Sequence, residues 1–241
     1  MPQSEPLRAI AFDLFHTLVD PEDFRPKEFR RARAAAEALG LPVEEFDRAW
    51  TADHPDRTTH LRPTIDERLR AYCDRFGVAV DPARLADAIE RLERHQALAL
   101  RQPRAGTLDT LRTLRERGWR LGVLSNCDAG EIRYWSESPL APLFDAVVFS
   151  CEIGYAKPSL EAYRALVPRW GGLPLSAAAY VGDGSSDELA GARSAGFARV
   201  IFQSEFVARN GLRSAAANEL LRQDADASID GLAELLDPSR W

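Results

Sequence analysis

Five short apolar runs punctuate the chain: Arg8–Phe12, Arg120–Leu124, Ala146–Phe149, Ala178–Val181 and Arg199–Phe202. Most are near-continuous rather than alternating, the pattern of strands buried on both faces of a parallel sheet. Helical stretches between them give a β-α-β rhythm. Thr107–Arg117 is amphipathic and stops at Gly118, a natural C-cap. Lys157-Pro158 predicts a helix start, with Pro158 near the first helical position. Ser185 or Ser186 is placed to cap a helix running to Gly196. The tail after Phe202 is mostly polar and reads as helix packed on the outside.

The interval from Asp20 to Arg104 differs. It holds no strand pattern and reads as four helices, 26–39, 43–52, 64–76 and 82–101. Breaks fall at Gly40-Leu41-Pro42, at the polar stretch Asp53–Thr59, and at Gly77 with Asp81-Pro82. An all-helical block after the first strand predicts a small bundle over the sheet. The expected organisation is an α/β core of residues 1–19 and 105–241, with a helical domain of residues 20–104 inserted in it.

Composition narrows the partners. The 241 residues are 45% hydrophobic and 28% charged, enough for a packed core. A formal net charge of −6 argues against non-specific nucleic-acid binding. No apolar run reaches the ~20 residues a membrane span requires, and the start, MPQSEPLRAIAFDLF, lacks the layout of a secretory signal. Cys73, Cys127 and Cys151 are too few for a disulfide framework, so free thiols in a reducing cytoplasm are expected. Four histidines without Cys/His ligand spacing argue against zinc.

The polar residues at the strand ends carry the chemistry. The first strand ends in Asp13, the second in Ser125-Asn126, the fourth in Gly182-Asp183. Right-handed crossovers bring all these carboxyl ends to one edge of a parallel sheet, where ligands of such sheets bind. Each residue alone is an ordinary strand-end or turn residue; the set is not. Asp13 and Asp183 on adjacent strands repel unless a cation joins them, and oxygen-only ligands favour magnesium. Asp187, four residues on, is expected to support the metal or its waters. Lys157 adds a point charge for an anion, and Ser125 a donor. A carboxylate held beside a bound phosphoryl group can attack phosphorus. These groups spell phosphoryl transfer to Asp13, followed by hydrolysis, on a small anionic substrate.

With these motifs the chain resembles the haloacid dehalogenase (HAD) superfamily over essentially its whole length. FDLFHTLVD resembles the first motif, which implies Asp13 as nucleophile and Thr17 as an orienting hydroxyl. VLSN resembles the second motif through Ser125, GYAKPSLEAY the third through Lys157, and VGDGSSDELAGARSAG the fourth through Asp183 and Asp187. The resemblance implies a Rossmann-like α/β fold with strand order 5-4-1-2-3, a four-helix cap that closes over the site, and a Mg2+ held by Asp13, the Phe15 carbonyl, Asp183 and Asp187. Asn126, beside Ser125, joins the expected catalytic set.

One departure limits the claim. The family's phosphatases carry D-x-D-G-T, whereas this chain has Asp13-Leu14-Phe15-His16-Thr17. Phe15 stands where the acid/base aspartate belongs, and His16 replaces the glycine. Loss of such a group costs about 10²–10⁴-fold. The first reading is therefore a Mg2+-dependent phosphohydrolase acting on a small phosphorylated metabolite whose leaving group needs little protonation, or one that uses His16 as a substitute acid. A 2-haloacid dehalogenase is the second reading, since those enzymes carry an aromatic residue at this position, although the Gly182-Asp183 pair argues against it. A catalytically weakened binding module is the third. Either a monomer or a homodimer is compatible with the pattern.

Lesser features have bland readings beside functional ones. Arg25, His54, Arg57 and Arg62 could meet an anionic substrate, but solvated charge is the commoner role. Phe24 lines the site entrance or anchors the hinge. Tyr134 and Trp135 fit packing better than substrate stacking, and Cys127 fits a small filler better than a second nucleophile. Arg193 and Arg199 read as exposed helix and turn positions.

Overall fold

A computed structural model describes residues 7–52 and 64–240. The chain opens on β1 (Ala9–Phe12), then passes through α1 (Arg31–Leu39), α2 (Val43–Ala52), α3 (Ile65–Phe76) and α4 (Pro82–Arg101). It returns through α5 (Ala105–Glu116), β2 (Arg120–Ser125), β3 (Ala146–Phe149), α6 (Ser150–Ile153), α7 (Leu160–Arg164) and α8 (Leu166–Arg169). It finishes with β4 (Ala178–Gly182), α9 (Glu188–Ala195), β5 (Arg199–Gln203), α10 (Glu205–Asn210), α11 (Ala215–Asp224) and β6 (Ala227–Ile229). The strands form one parallel sheet in the order β3-β2-β1-β4-β5-β6. The expected order 5-4-1-2-3 is present, with a sixth strand added outside β5.

β1 shows why these runs become central strands. All four of its residues are buried, and alternate side chains point to opposite faces. Ile10 and Phe12 enter one apolar cluster with Leu111 and Leu114 of α5. Ala9 and Ala11 face a second cluster with Ala162, Tyr163 and Leu166 of α7 and α8. Fully burying a side chain the size of Ile or Phe stabilises by about 1.5–3 kcal/mol, so a polar residue on either face is excluded. On the second face α7 and α9 touch closely. A Cβ on Gly191 would lie 2.8 Å from the Pro158 side chain and 2.5 Å from the Tyr163 hydroxyl.

The helices α1–α4 share a third apolar cluster of their own, around Phe46, Leu69, Leu85 and Leu92. Thr64 and Glu67 close α3 with a reciprocal capping box, and Asp81 caps α4 ahead of Pro82. The last turn of α4 leaves this cluster, and Ala99 and Leu100 join the sheet-side core. Among the described residues no helix is long and apolar enough to cross a membrane.

Four local expectations are corrected. The first helix starts at Arg31, not at 26, because Arg30 is extended and residues 26–29 close a separate turn, Phe29 N–H donating to Pro26 C=O at 2.9 Å. Pro158 precedes α7 by two residues, with Ser159 at the cap position. Neither Ser185 nor Ser186 caps α9: Ser185 turns its hydroxyl to Asp183, and Ser186 is left-handed at φ 57°. The tail is not merely outer helix. It supplies β6 and buries Phe206, Val207, Leu232 and Leu235.

Candidate active site

The strand register delivers the expected residues to one edge. Phe12 is level with Val123 of β2 and Val181 of β4, so Asp13, Ser125 and Asp183 emerge within one residue of a common line. The Asp13 amide donates to Val181 C=O at 2.9 Å, which fixes the turn. Asp13, Thr17, Ser125, Lys157 and Asp183 are all buried, and Asn126 is partly buried.

Lys157 is the centre of the charge arrangement. Its ammonium donates to Asp13 Oδ1 at 2.5 Å, to Glu188 Oε2 at 2.5 Å and to the Tyr180 hydroxyl at 3.1 Å. Asn126 grips the Lys157 backbone from both sides: the Lys157 amide donates to its Oδ1 at 2.7 Å, and its Nδ2 donates to the Lys157 carbonyl at 2.9 Å. Burial alone would lower the Lys157 pKa, but Asp13 and Glu188 overcome it and hold the ammonium above its ordinary value. Burial also pushes Asp13 upward, against the pull of Lys157 and reinforced by Asp183. Glu188 is pushed up to about 8 by burial, opposed by Lys157 and reinforced by Asp13 and Asp183.

Glu188 is the residue that sequence reasoning missed. It is fully buried at the start of α9, accepts from the Tyr180 hydroxyl at 2.6 Å and accepts from the Gly184 amide at 2.9 Å. Carboxylate oxygens of Asp13, Asp183 and Glu188 lie within 4.8 Å of one another. Asp187, expected in this group, is exposed and lies outside it. The reason is backbone. Gly184, Ser186 and Asp187 all adopt positive φ, so the segment after Asp183 is not helical and the one-turn spacing does not apply. The helix begins at Glu188, whose side chain turns inward instead.

Asp183 is satisfied by other partners. Its Oδ1 accepts from the Ser185 amide at 2.9 Å and its Oδ2 from the Ser185 hydroxyl at 2.8 Å. Arg213 donates to Asp183 Oδ2 at 3.2 Å and to the Asp183 carbonyl. Thr17 is close enough to favour the Asp13 carboxylate, yet its buried hydroxyl lies outside hydrogen-bonding geometry to any group. His16 occupies the position of the family glycine with φ 63°, and its Nδ1 lies 3.2 Å from Asp20 Oδ1.

A cavity of about 280 Å³ opens onto Asp13, Phe15, His16, Ser125, Asn126 and Lys157. Its far wall comes from Arg25, Arg31 and Gln96 of the helical segment, with Glu131. The Arg25 Nε is buried without a partner. A larger hollow of about 620 Å³ lies at the opposite, amino-terminal edge of the sheet, between Arg8, Trp119 and Pro174. It is lined by neither a nucleophile nor an acidic cluster, so the smaller cavity is the candidate site.

The remaining features resolve simply. Arg25 reaches the cavity; His54, Arg57 and Arg62 lie outside the described residues. Phe24 packs against the sheet-side core. Tyr134 lies under the Arg101 guanidinium at 3.7 Å, and Trp135 packs on Phe144 and Phe149. Arg193 pairs with Asp226, and Arg199 begins β5 rather than a turn.

The model of the haloacid dehalogenase-like hydrolase family matches residues 7–196, and the chain belongs to that family. A glyceraldehyde 3-phosphate phosphatase from Methanothermobacter thermautotrophicus is 28% identical over 222 residues, covering 86% of this chain and 93% of its own. An (S)-2-haloacid dehalogenase from Pseudomonas sp. strain YL is 27% identical over 197 residues, covering 79% and 80% respectively. The crystal structure of a HAD phosphatase from Thermococcus onnurineus shares the fold, with a TM-score of 0.62 at 22% identity over 98% of this chain and 100% of that one.

Proposed function

We propose that this HAD-family hydrolase is a phosphohydrolase in which Asp13 attacks the phosphorus of a small phosphorylated metabolite. The observation that carries the reading is the pair of buried carboxylates, Asp13 and Asp183, with oxygens within 4.8 Å of each other and the Lys157 ammonium bound to Asp13. The haloacid dehalogenases of this family usually lack the Gly-Asp pair that Gly182 and Asp183 form here. The phosphatase relative from Methanothermobacter thermautotrophicus supports the same choice.

The oxygen-only donor set fits magnesium. The nearby Asp183 carboxylate disfavours the charge on Asp13. Asp13, the Phe15 carbonyl and Asp183 would hold the ion. Bound there, it supplies positive charge for a phosphoryl group. Glu188 is already saturated by Lys157, Tyr180 and Gly184, which makes it a support for Lys157 rather than a ligand.

The chain's own groups do the rest. Asp13 keeps one oxygen on Lys157 and presents the other to phosphorus. Lys157 also offers charge to the phosphoryl oxygens, and the Ser125 and Thr17 hydroxyls are available as donors. The new Asp13 O–P bond forms as the bond to the leaving oxygen breaks; water then hydrolyses the aspartyl-phosphate. Phe15 supplies no proton, so an acyl phosphate or similar good leaving group suits the site best. Residues 20–104 act as a cap over a core of residues 1–19 and 105–241, and Arg25 and Arg31 face the anionic substrate from the cap side.

The dehalogenase reading stands second because Phe15 lies in the cavity and Arg213 already offsets the Asp183 charge. Hydrolysis of an acyl phosphate, an aryl phosphate and a 2-haloacid, each with Mg2+ and with EDTA, separates the two. Phosphate release that needs Mg2+ is expected; halide release that survives EDTA overturns the proposal.

A further inference from the structure

The helical segment carries positive charge that the proposed reaction does not use. A second hollow, of about 480 Å³, shares Arg25 and Arg31 with the catalytic cavity. One side of it is the stretch from Glu22 to Arg31; the other is the end of α10 with Leu212. Both sides are tied down. Phe29 N–H donates to Pro26 C=O at 2.9 Å, and the Phe29 ring packs edge-on against His95 of α4, centroids 4.7 Å apart. Arg31 Nε donates to the Leu92 carbonyl at 2.8 Å. Across the hollow, Asn210 Nδ2 donates to Asp20 Oδ2 at 2.6 Å and Arg209 to Asp23 Oδ1 at 2.8 Å. A hollow built this way costs little ordering when a ligand enters.

Its charge is unbalanced. Arg25, Lys27, Arg30, Arg31 and Arg209 line it, and among the described residues Glu22 is its one lining carboxylate. Glu22 is taken by Arg25, and Arg209 is taken by Asp20 and Asp23. Arg31 approaches Glu131 only to 3.5 Å. Among the described residues Lys27 and Arg30 meet no carboxylate; Arg30 donates instead to the carbonyls of Lys27 at 2.7 Å and Phe29 at 3.2 Å. Ordinary surface charge on this segment behaves differently. Arg33, Arg48, Arg70 and Arg91 each pair with an acidic neighbour, in a chain whose net charge is −6.

We infer that this hollow is a subsite for a second anionic group of the substrate. The substrate class is then a phosphorylated metabolite with a phosphate or carboxylate at the end remote from the transferred phosphoryl group. With the phosphoryl group at Asp13, the Arg25 and Arg31 wall leads from the catalytic cavity to Lys27 and Arg30. Pro26, Phe29 and Leu212 offer apolar surface to the carbon chain between the two charges. Charge-assisted contacts at the remote end select for length as well as charge.

The test is titration calorimetry on the full chain with Mg2+. The probes are alkylphosphonates, ω-carboxyalkylphosphonates and α,ω-bisphosphonates of increasing chain length, which keep the phosphoryl charge and resist hydrolysis. At one chain length a two-ended probe should bind on the order of tenfold more tightly than its one-ended match. The stronger of the carboxylate and bisphosphonate series identifies the remote group. The gain should shrink as salt rises. Lys27→Ala combined with Arg30→Ala should abolish it. Arg48→Ala combined with Arg70→Ala removes the same net charge from carboxylate-paired sites and should keep it. No gain at any chain length overturns the inference. So does a gain that survives loss of Lys27 and Arg30, or one lost equally in both double variants. The inference rests on the phosphohydrolase reading, which fails separately: one-ended binding indifferent to Mg2+ and to Asp13→Asn counts against that reading alone.

Discussion

Replacing Phe15 with aspartate tests directly what limits the proposed chemistry. Phe15 lines the cavity with Asp13 and packs in part against the sheet-side core. Complete burial of such a side chain is worth about 1.5–3 kcal/mol; Phe15 is only half-buried, so its loss costs about 1 kcal/mol of stability. That corresponds to a Tm drop of roughly 2–4 °C for a chain of this size, which the fold tolerates. The gain is larger: a positioned general acid is worth about 10²–10⁴-fold, or ~3–5 kcal/mol of barrier. The new carboxyl enters a site that already holds Asp13 and Asp183. Crowded carboxylates favour keeping one protonated, the state a general acid requires. The gain must also depend on the leaving group. A departing alkoxide needs a proton, whereas the carboxylate of an acyl phosphate leaves without one. The assay is kcat/KM of Phe15→Asp and wild type, with Mg2+, for an alkyl phosphate, an aryl phosphate and acetyl phosphate. A rise on the order of 100-fold is expected for the alkyl phosphate, and within about threefold for acetyl phosphate. An equal change for all three substrates refutes the reasoning, as does an unmoved alkyl phosphate rate in a variant that still hydrolyses acetyl phosphate.

Asn126→Ala leaves both Lys157 backbone groups without their partner; kcat should fall on the order of 10–100-fold, with KM less affected, and steady-state kinetics at constant Mg2+ checks the split. Arg25→Ala should raise KM on the order of tenfold while sparing kcat, because the proposed site uses Arg25, which lines the cavity with its Nε buried and unpartnered, to meet the substrate; an unchanged KM removes it from the site. Burial, helped by Arg25, Arg94 and Arg31, lowers His95 to about 4 from an ordinary 6.5. The unfolded chain therefore takes up a proton at His95 before the folded one, and stability is lost as pH falls from about 6.5 to 4. Urea midpoints across that window should fall more steeply for wild type than for His95→Leu, and equal slopes contradict the assignment.

How far the sequence carries the structure depends on the kind of residue. The strands β1 to β5 are legible because burial on both faces of the sheet leaves near-continuous apolar runs. β6 is not, because Ala227-Ser228-Ile229 is too short for any period to register. Asp13, Ser125, Asn126 and Asp183 are legible because a parallel sheet aligns strand ends. Arg213 is not, because it reaches Asp183 from a loop 30 residues downstream and no local pattern marks it. Arg31 and Gln96 read as ordinary helix residues until α1 and α4 are folded against the sheet edge.

The exchange of Asp187 for Glu188 shows where spacing arguments stop. Counting four residues from Asp183 assumes a helix, but three of the four residues counted are left-handed, and these are tolerated only where the surroundings hold them. Gly184 supplies one at no steric cost, and its amide is bound by Glu188. The same carboxylate then reaches back to Lys157 and Tyr180. A buried ammonium serving one aspartate alone would leave the Lys157 site with little to hold its geometry. With Glu188 on its other side and Asn126 on its backbone, Lys157 is fixed from three directions, and the Asp13 oxygen it holds is fixed with it. The strained turn after Asp183 is therefore part of how the Asp13 carboxylate is held in place.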